Sequence, residues 1–176
     1  MSGGTNSLPT SRCRLIDGRR LAIDAAWVIL LTAMGVGLGM AARRDIGVTP
    51  HVVSAWSIFT HNFGLAVIMC AATKYVAYPA IALNCFVNGV IMGVYVIHRD
   101  VISLVGSMVW YSPLEVIGWL STLQASVRTL DLYRSILSGE GIRQEWQRVF
   151  RWLLILLVVY AMAAVLEQHG AMRGAR

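Results

Sequence analysis

Glu115 is the residue whose type and setting point most directly to chemistry. It lies at the head of a long apolar run, in the segment WYSPLEVI over residues 110–117. A carboxylate placed in the hydrocarbon of a bilayer costs roughly 2.5–3.5 kcal/mol on insertion scales. We therefore expect Glu115 to have a partner, a water-filled cavity or a chemical task.

Two roles are open for Glu115. The S-x-x-E spacing from Ser112 is that of a capping box with Pro113 at the first helical position, so the glutamate could reach back to the Ser112 amide. In the other role, a desolvated carboxyl exchanges a proton near neutral pH. The two roles are not exclusive. His61 and Tyr111 are the candidates for a second acid or base, although a lone histidine more often bonds to a nearby carbonyl.

Other polar side chains lie within apolar segments and predict binding or packing. Asn62 follows His61, and Asn84 and Asn88 share one face of a helix because they are four residues apart. A polar seam with spacings of three and four runs along a later helix, and we expect it to form a bundle contact or a partner surface. Its members are Ser121, Gln124, Arg128, Asp131 and Ser135. Arg128 and Asp131 are three residues apart and can pair locally.

Two G-x-x-x-G patterns predict close contacts between helices. They comprise Gly35 with Gly39 and Gly89 with Gly93. Small residues at this spacing let two helix backbones approach closely inside a membrane. Packing is therefore the expected role of these glycines.

Composition indicates a protein solvated by lipid. The chain has 176 residues, of which 57% are hydrophobic and only 14% charged, against about 25% charged in a typical soluble domain. The formal charge of +6 does not indicate nucleic-acid binding, because the cations flank apolar runs instead of forming one stripe. No motif for a nucleotide, a metal or a hydrolytic serine is present, so we expect no cofactor and no metal.

The apolar runs predict an all-α, polytopic integral membrane helical bundle. About 20 apolar residues cross the hydrocarbon core. The segment from Val101 to Val109 is too short to cross and is expected to be re-entrant or interfacial. The predicted organisation is a basic cytoplasmic tail over 1–20, a transmembrane domain over 21–167 and a short tail over 168–176. About five transmembrane helices are expected, at 21–42, 56–73, 78–97, 112–137 and 152–166. A basic, amphipathic segment over 142–151 is expected to precede the last of them.

Positive charge predicts the orientation of these spans. With the amino terminus in the cytoplasm, ten of the 15 lysines and arginines lie on the cytoplasmic side and five on the outer side. This bias has the direction of the positive-inside rule. We therefore expect a cytoplasmic amino terminus.

The stretch from Phe59 to Arg128 resembles the stage II sporulation protein M family of bacterial membrane proteins. FTHN at 59–62 resembles the family's aromatic-x-x-Asn helix start, and NGVIMG at 88–93 resembles its N-G-x-x-x-G. YSPLE at 111–115 aligns with its H-G-x-x-E. Tyr111 and Ser112 stand where the family has His-Gly, so only Glu115 carries over from that motif.

The resemblance implies a multi-pass protein of the bacterial cytoplasmic (inner) membrane that forms a complex. The leading hypothesis is an accessory or scaffold subunit for a second membrane protein or an envelope- or peptide-processing enzyme. The alternative is a cofactor-independent acid/base enzyme, or half of a heteromeric one, such as a peptide epimerase or isomerase that uses Glu115 on a peptide substrate. A transporter or channel is disfavoured because no internal repeat is apparent.

Overall fold

A computed structural model describes residues 18–42, 54–98 and 112–174 of the chain, and this part is all-helical, without a strand. The predicted all-α class is therefore confirmed. The helices of the described part are α1 (Gly18–Ala42), α2 (Ala55–Ala71), α3 (Lys74–His98), α4 (Ser112–Ser138) and α5 (Ile142–Gly174). Within these described residues, three helices are long and apolar enough to cross a membrane, namely α1, the Lys74–Val94 part of α3 and the Ile142–His169 part of α5.

Several helix limits differ from the predicted ones. The amphipathic segment over 142–151 and the span after it form one helix, because no glycine or proline separates them. That helix also continues past the predicted domain end at 167. Pro79 lies inside α3 because the helix begins at Lys74, a turn earlier than expected. The predicted re-entrant segment and most of the predicted amino-terminal tail lie outside the described residues.

Helices α1 and α3 pack side by side and run in the same direction. Gly35 faces Gly89 and Gly39 faces Gly93, so the two contacts have the same sequence offset. Only parallel helices keep a constant offset along their contact. Helix α2 runs the opposite way, because only Ala72 and Thr73 separate its end from the start of α3.

The α1–α3 contact is backbone against backbone. A Cβ atom added at Gly35, Gly89 or Gly93 would lie 2.2 Å from a carbonyl oxygen of the facing helix, and one at Gly39 would lie 2.1 Å away. No larger residue fits at such distances without a shift of the helices. The predicted packing role of both G-x-x-x-G patterns is confirmed.

Helix α4 lies at the centre of the bundle. All six residues from Ser121 to Ser126 are buried, so the helix is covered on every side, and it contacts each of the other four helices. Its hydroxyl groups bond to their own helix: Thr122 Oγ1 donates to the Gly118 carbonyl at 2.8 Å and Ser126 Oγ to the Leu123 carbonyl at 2.7 Å. A helix enclosed by protein can thus carry polar side chains that lipid would not tolerate.

Tight turns reverse the chain at two places. Ala72 and Thr73 connect α2 to α3, and Thr73 adopts a positive φ of 67°. Gly139 and Gly141 connect α4 to α5, also with positive φ, for which glycine is well suited. Below, the Thr73 end denotes the end of the bundle where α3 and α5 begin, and the Ser54 end denotes the end where α2 and α4 begin.

Substitution of the contact glycines tests the α1–α3 packing. Gly35→Ala and Gly89→Ala should each lower the free energy of unfolding by about 1–3 kcal/mol, because the new methyl group overlaps a backbone carbonyl. Gly37 on the same helix has open space around it. Gly37→Ala should therefore cause no loss. The measurement is reversible unfolding of the purified protein in mixed micelles, and equal effects at positions 35 and 37 would contradict the assigned contact.

Candidate functional site

Helices α2, α3, α4 and α5 enclose a cavity of about 400 Å³ near the Ser54 end, called here the Glu115 cavity. Its walls carry an unusual number of polar groups for a membrane bundle. Apart from two carboxyl groups, the polar lining consists of Ser57, His61, Asn62, Asn84, Asn88 and the hydroxyl group of Tyr160.

The two carboxyl groups of the cavity belong to Glu115 and Glu167. They lie close enough to interact electrostatically. The α4–α5 hairpin explains their meeting, because Glu115 lies 24 residues before Gly139 and Glu167 lies 26 residues after Gly141. Sequence reasoning missed Glu167, although the antiparallel hairpin and its two glycines contain the signal that would have found it.

Glu115 does not form the predicted capping box. The Ser112 hydroxyl is buried and has no hydrogen-bond partner, and within the described residues no hydrogen bond or ion pair holds the Glu115 carboxyl. Glu115 is instead part of the lining of the cavity. Its place in the first turn of α4 is favourable for a negative charge, because the helix dipole is positive there.

The other predicted cavity residues come from α2 and α3. His61 and Asn62 lie on α2, and both line the Glu115 cavity. Asn88 Nδ2 donates to Asn84 Oδ1 at 2.5 Å, so the two amides bond to each other along α3. They line the cavity as well. Tyr111, the remaining candidate acid or base, lies outside the described residues.

Gln124 and Arg128 are remote from this cavity. Arg128 Nη1 lies 3.6 Å from Asp131 Oδ2, which confirms the expected local pair and places Arg128 towards the Thr73 end. Gln124 belongs to the interior of the bundle, where it is 4% exposed. The polar seam on α4 is thus a bundle contact at Gln124 and an ion pair further along.

Asp24 forms a second polar cluster, between α1, α3 and α4. Its side chain is 2% exposed, accepts a hydrogen bond from the Tyr78 hydroxyl at 2.7 Å and accepts another from Gln124 Nε2 at 2.9 Å. These bonds join α1, α3 and α4. Sequence reasoning assigned no role to Asp24.

Tyr160 forms part of the cavity wall and is held in place from α4. Its ring packs on Gly118, where an added Cβ would lie 2.9 Å from the ring, and its hydroxyl lies 3.3 Å from Thr122 Oγ1. Near the mouth, Gln168 Oε1 accepts a hydrogen bond from the Ala55 amide at 3.2 Å and ties α5 to the start of α2. The wall is therefore supported by neighbouring helices.

The described residues contain no group of three or more His, Cys, Asp or Glu side chains that could hold a metal ion. The two carboxyl groups and the imidazole of the Glu115 cavity can serve as acids, bases or hydrogen-bond acceptors. Proton transfer and binding of a cation are the chemistry that this set can perform.

Removal of one hydroxyl group tests the Asp24 cluster. Tyr78→Phe should lower the free energy of unfolding by about 1–3 kcal/mol, because it leaves a buried carboxylate oxygen without its donor. Tyr75 is 68% exposed one turn earlier on the same helix. Tyr75→Phe should change the stability by less than about 0.5 kcal/mol. Chemical denaturation of both variants in micelles measures the difference, and equal losses would count against the cluster.

No protein-family model matches this chain, and no curated protein or solved structure matches it at a significant level. The resemblance to the stage II sporulation protein M family therefore stays a prediction that rests on motifs between Phe59 and Arg128. The function has to be argued from the chemistry of the Glu115 cavity.

Proposed function

We propose that this chain is an integral membrane protein that performs cofactor-independent acid/base chemistry on a polar substrate in the Glu115 cavity. One observation carries the proposal: the Glu115 carboxyl lines an open cavity and is not used to cap its helix. A desolvated carboxyl group without a structural bond is costly to keep in a bilayer protein. Proton exchange with a substrate accounts for its presence.

The arrangement supplies both partners that such chemistry needs. Epimerisation or isomerisation requires one group that removes a proton and a second group, on the other side of the reacting atom, that returns one. Glu115 can act as the base and His61 can supply the returning proton, so that the number of protons on enzyme and substrate together is unchanged. The apolar part of the lining, which includes Leu65 and Ile81, limits access of bulk water.

The proposed setting is a bacterial cytoplasmic membrane crossed five times, with the amino terminus in the cytoplasm. The alternating helix directions support it, because α1 and α3 are parallel and short turns follow α2 and α4. The Thr73 end then faces the cytoplasm and carries most of the arginines, as the positive-inside rule requires. In this orientation the Glu115 cavity lies in the outer half of the membrane.

A second candidate function is that of an accessory subunit resembling the stage II sporulation protein M family. It is favoured by the hairpin at the Thr73 end, where the last turns of α4 meet the first turns of α5. Leu137 is 88% exposed and Trp146 57% exposed there, beside exposed arginines such as Arg134 and Arg143. Exposed aromatic and aliphatic residues next to arginine are typical of interaction surfaces.

Glu115→Gln tests the acid/base function. The amide keeps the size of the side chain but cannot exchange the proton, so formation of the product that is lost on deletion of the gene should fall by at least about 100-fold. Mass spectrometry of membrane and envelope extracts from the host identifies and quantifies that product. Glu140→Gln, in the exposed α4–α5 turn, is the matched control and should restore full formation. Full activity of Glu115→Gln would eliminate the acid/base function.

A pair of isoleucine variants tests the accessory function. Ile136 and Ile117 are 52% and 46% exposed at opposite ends of α4. If the hairpin binds a partner, Ile136→Ala should weaken its retention on the purified protein about fivefold or more, whereas Ile117→Ala should not. Quantitative co-purification from the host membrane measures this. A monomer that retains no partner in either variant or in the wild type would contradict the subunit role.

A further inference from the structure

The Glu115 cavity has a charged mouth and an apolar, aromatic floor. Glu115 and Glu167 come from the first turns of α4 and the last turns of α5, near the Ser54 end. Trp119 lies one turn deeper on α4, and Tyr160 two turns deeper on α5. A ligand in this space would meet negative charge at one end and two aromatic side chains at the other.

Charge balance points to a cationic ligand. Among the described residues that line the cavity there is no lysine and no arginine, and His61 is the single basic side chain. Two neighbouring carboxyl groups repel each other when both are ionised, and low-dielectric surroundings strengthen that repulsion. A positive group between them would replace the repulsion with two attractions.

Cavity size and lining point to an organic cation instead of a bare metal ion. A volume of about 400 Å³ lies within the range of sites for small organic molecules. The described part of the chain offers no cage of three or more metal-ligating side chains. Trp and Tyr attract ammonium groups through the negative face of the ring and also cover apolar carbon.

We propose that the cavity binds an organic ammonium group between Glu115 and Glu167, with the apolar body of the ligand over Trp119 and Tyr160. The substrate class is thereby a primary or secondary amine with a short apolar part. This assignment of the ligand class rests on the proposed function in one respect, because it takes the Glu115 cavity to be the substrate site. Asn84 and Asn88, which bond to each other on the α3 wall, supply further oxygen acceptors for the N–H groups.

Calorimetric titration of the full-length protein in phosphatidylcholine nanodiscs with n-butylammonium tests this inference. Saturable binding should weaken about tenfold or more in Glu115→Gln and in Glu167→Gln, and stay within about twofold in Glu140→Gln. Two carboxyl variants are used because either one alone could fail to fold, which thermal unfolding monitors. Unchanged binding in both folded variants would overturn the assignment.

Neutral and inorganic probes separate the ligand classes. 1-Butanol has the same apolar chain without the charge and should bind at least about tenfold more weakly. Sodium chloride at equal concentration should not displace n-butylammonium. Equal binding of 1-butanol would make the cavity a purely apolar site, and displacement by sodium would make it a site for inorganic cations. Either result overturns the proposal.

The ammonium group can belong to a free amine or to a lipid headgroup, and a further arm distinguishes them. Short-chain phosphatidylethanolamine and free ethanolamine are each titrated against bound n-butylammonium. If the phospholipid displaces n-butylammonium at the lower concentration, the ammonium group belongs to a lipid headgroup. The opposite order would assign a free amine.

The binding and activity experiments fail independently of each other. If ammonium binding depends on Glu115 but Glu115→Gln still forms the full amount of product in the host, the acid/base function is contradicted and the ligand class is not. If the wild type does not bind ammonium but Glu115→Gln loses the product, the ligand class is contradicted and the acid/base function is not.

Discussion

A lipid-embedded bundle must satisfy its polar groups from within, because the hydrocarbon around it offers no hydrogen bonds. Helix α4 depends on this constraint more than any other element. Thr122 and Ser126 bond to carbonyl groups of their own helix, and Gln124 bonds to Asp24 on α1. Lipid-facing positions on α1, such as Ile29 and Leu30, are by contrast apolar and more than half exposed. The position of each helix thus follows from whether its side chains need protein partners or tolerate lipid.

Two different contacts place the helices around α4. The glycine contact between α1 and α3 excludes side chains and brings two backbones together, which dispersion and close packing stabilise in a membrane. The Asp24 cluster then attaches this helix pair to α4 through hydrogen bonds. Both contacts lie away from the Glu115 cavity, so they hold its α3 wall in place without occupying it.

The carboxyl groups of the Glu115 cavity are the exception to the rule that polar groups find hydrogen-bond partners within the bundle. Each would cost a few kcal/mol in hydrocarbon, which is a large part of the roughly 5–15 kcal/mol by which a typical protein is stable. The buried Asp24 carboxylate is held by two donors, whereas the partly buried Glu115 has no such bond in the described part of the chain. That contrast between the two acids supports the proposal of acid/base chemistry at Glu115 and a structural role for Asp24.

Local pattern determined a large part of this protein. Apolar runs of the right length predicted the helices, glycines four apart predicted close helix contacts, and an acid in an apolar run singled out Glu115. Spacing along one helix also predicted the Arg128–Asp131 pair. The helix contacts and the ion pair depend on residues close in sequence, and the helical runs depend on the need of an apolar surface for lipid or protein around it.

Only the tertiary structure decided which distant residues meet. The bond between Asp24 and Gln124 spans 100 residues, and the meeting of Glu115 and Glu167 depends on how two helices lie against each other. The capping box failed because the S-x-x-E pattern records only that Glu115 can reach the Ser112 amide. Whether the side chain does so is set by the cavity that α2 and α5 create beside it. Long-range packing chooses among local options that are close in energy, and the sequence pattern of one segment does not contain that choice.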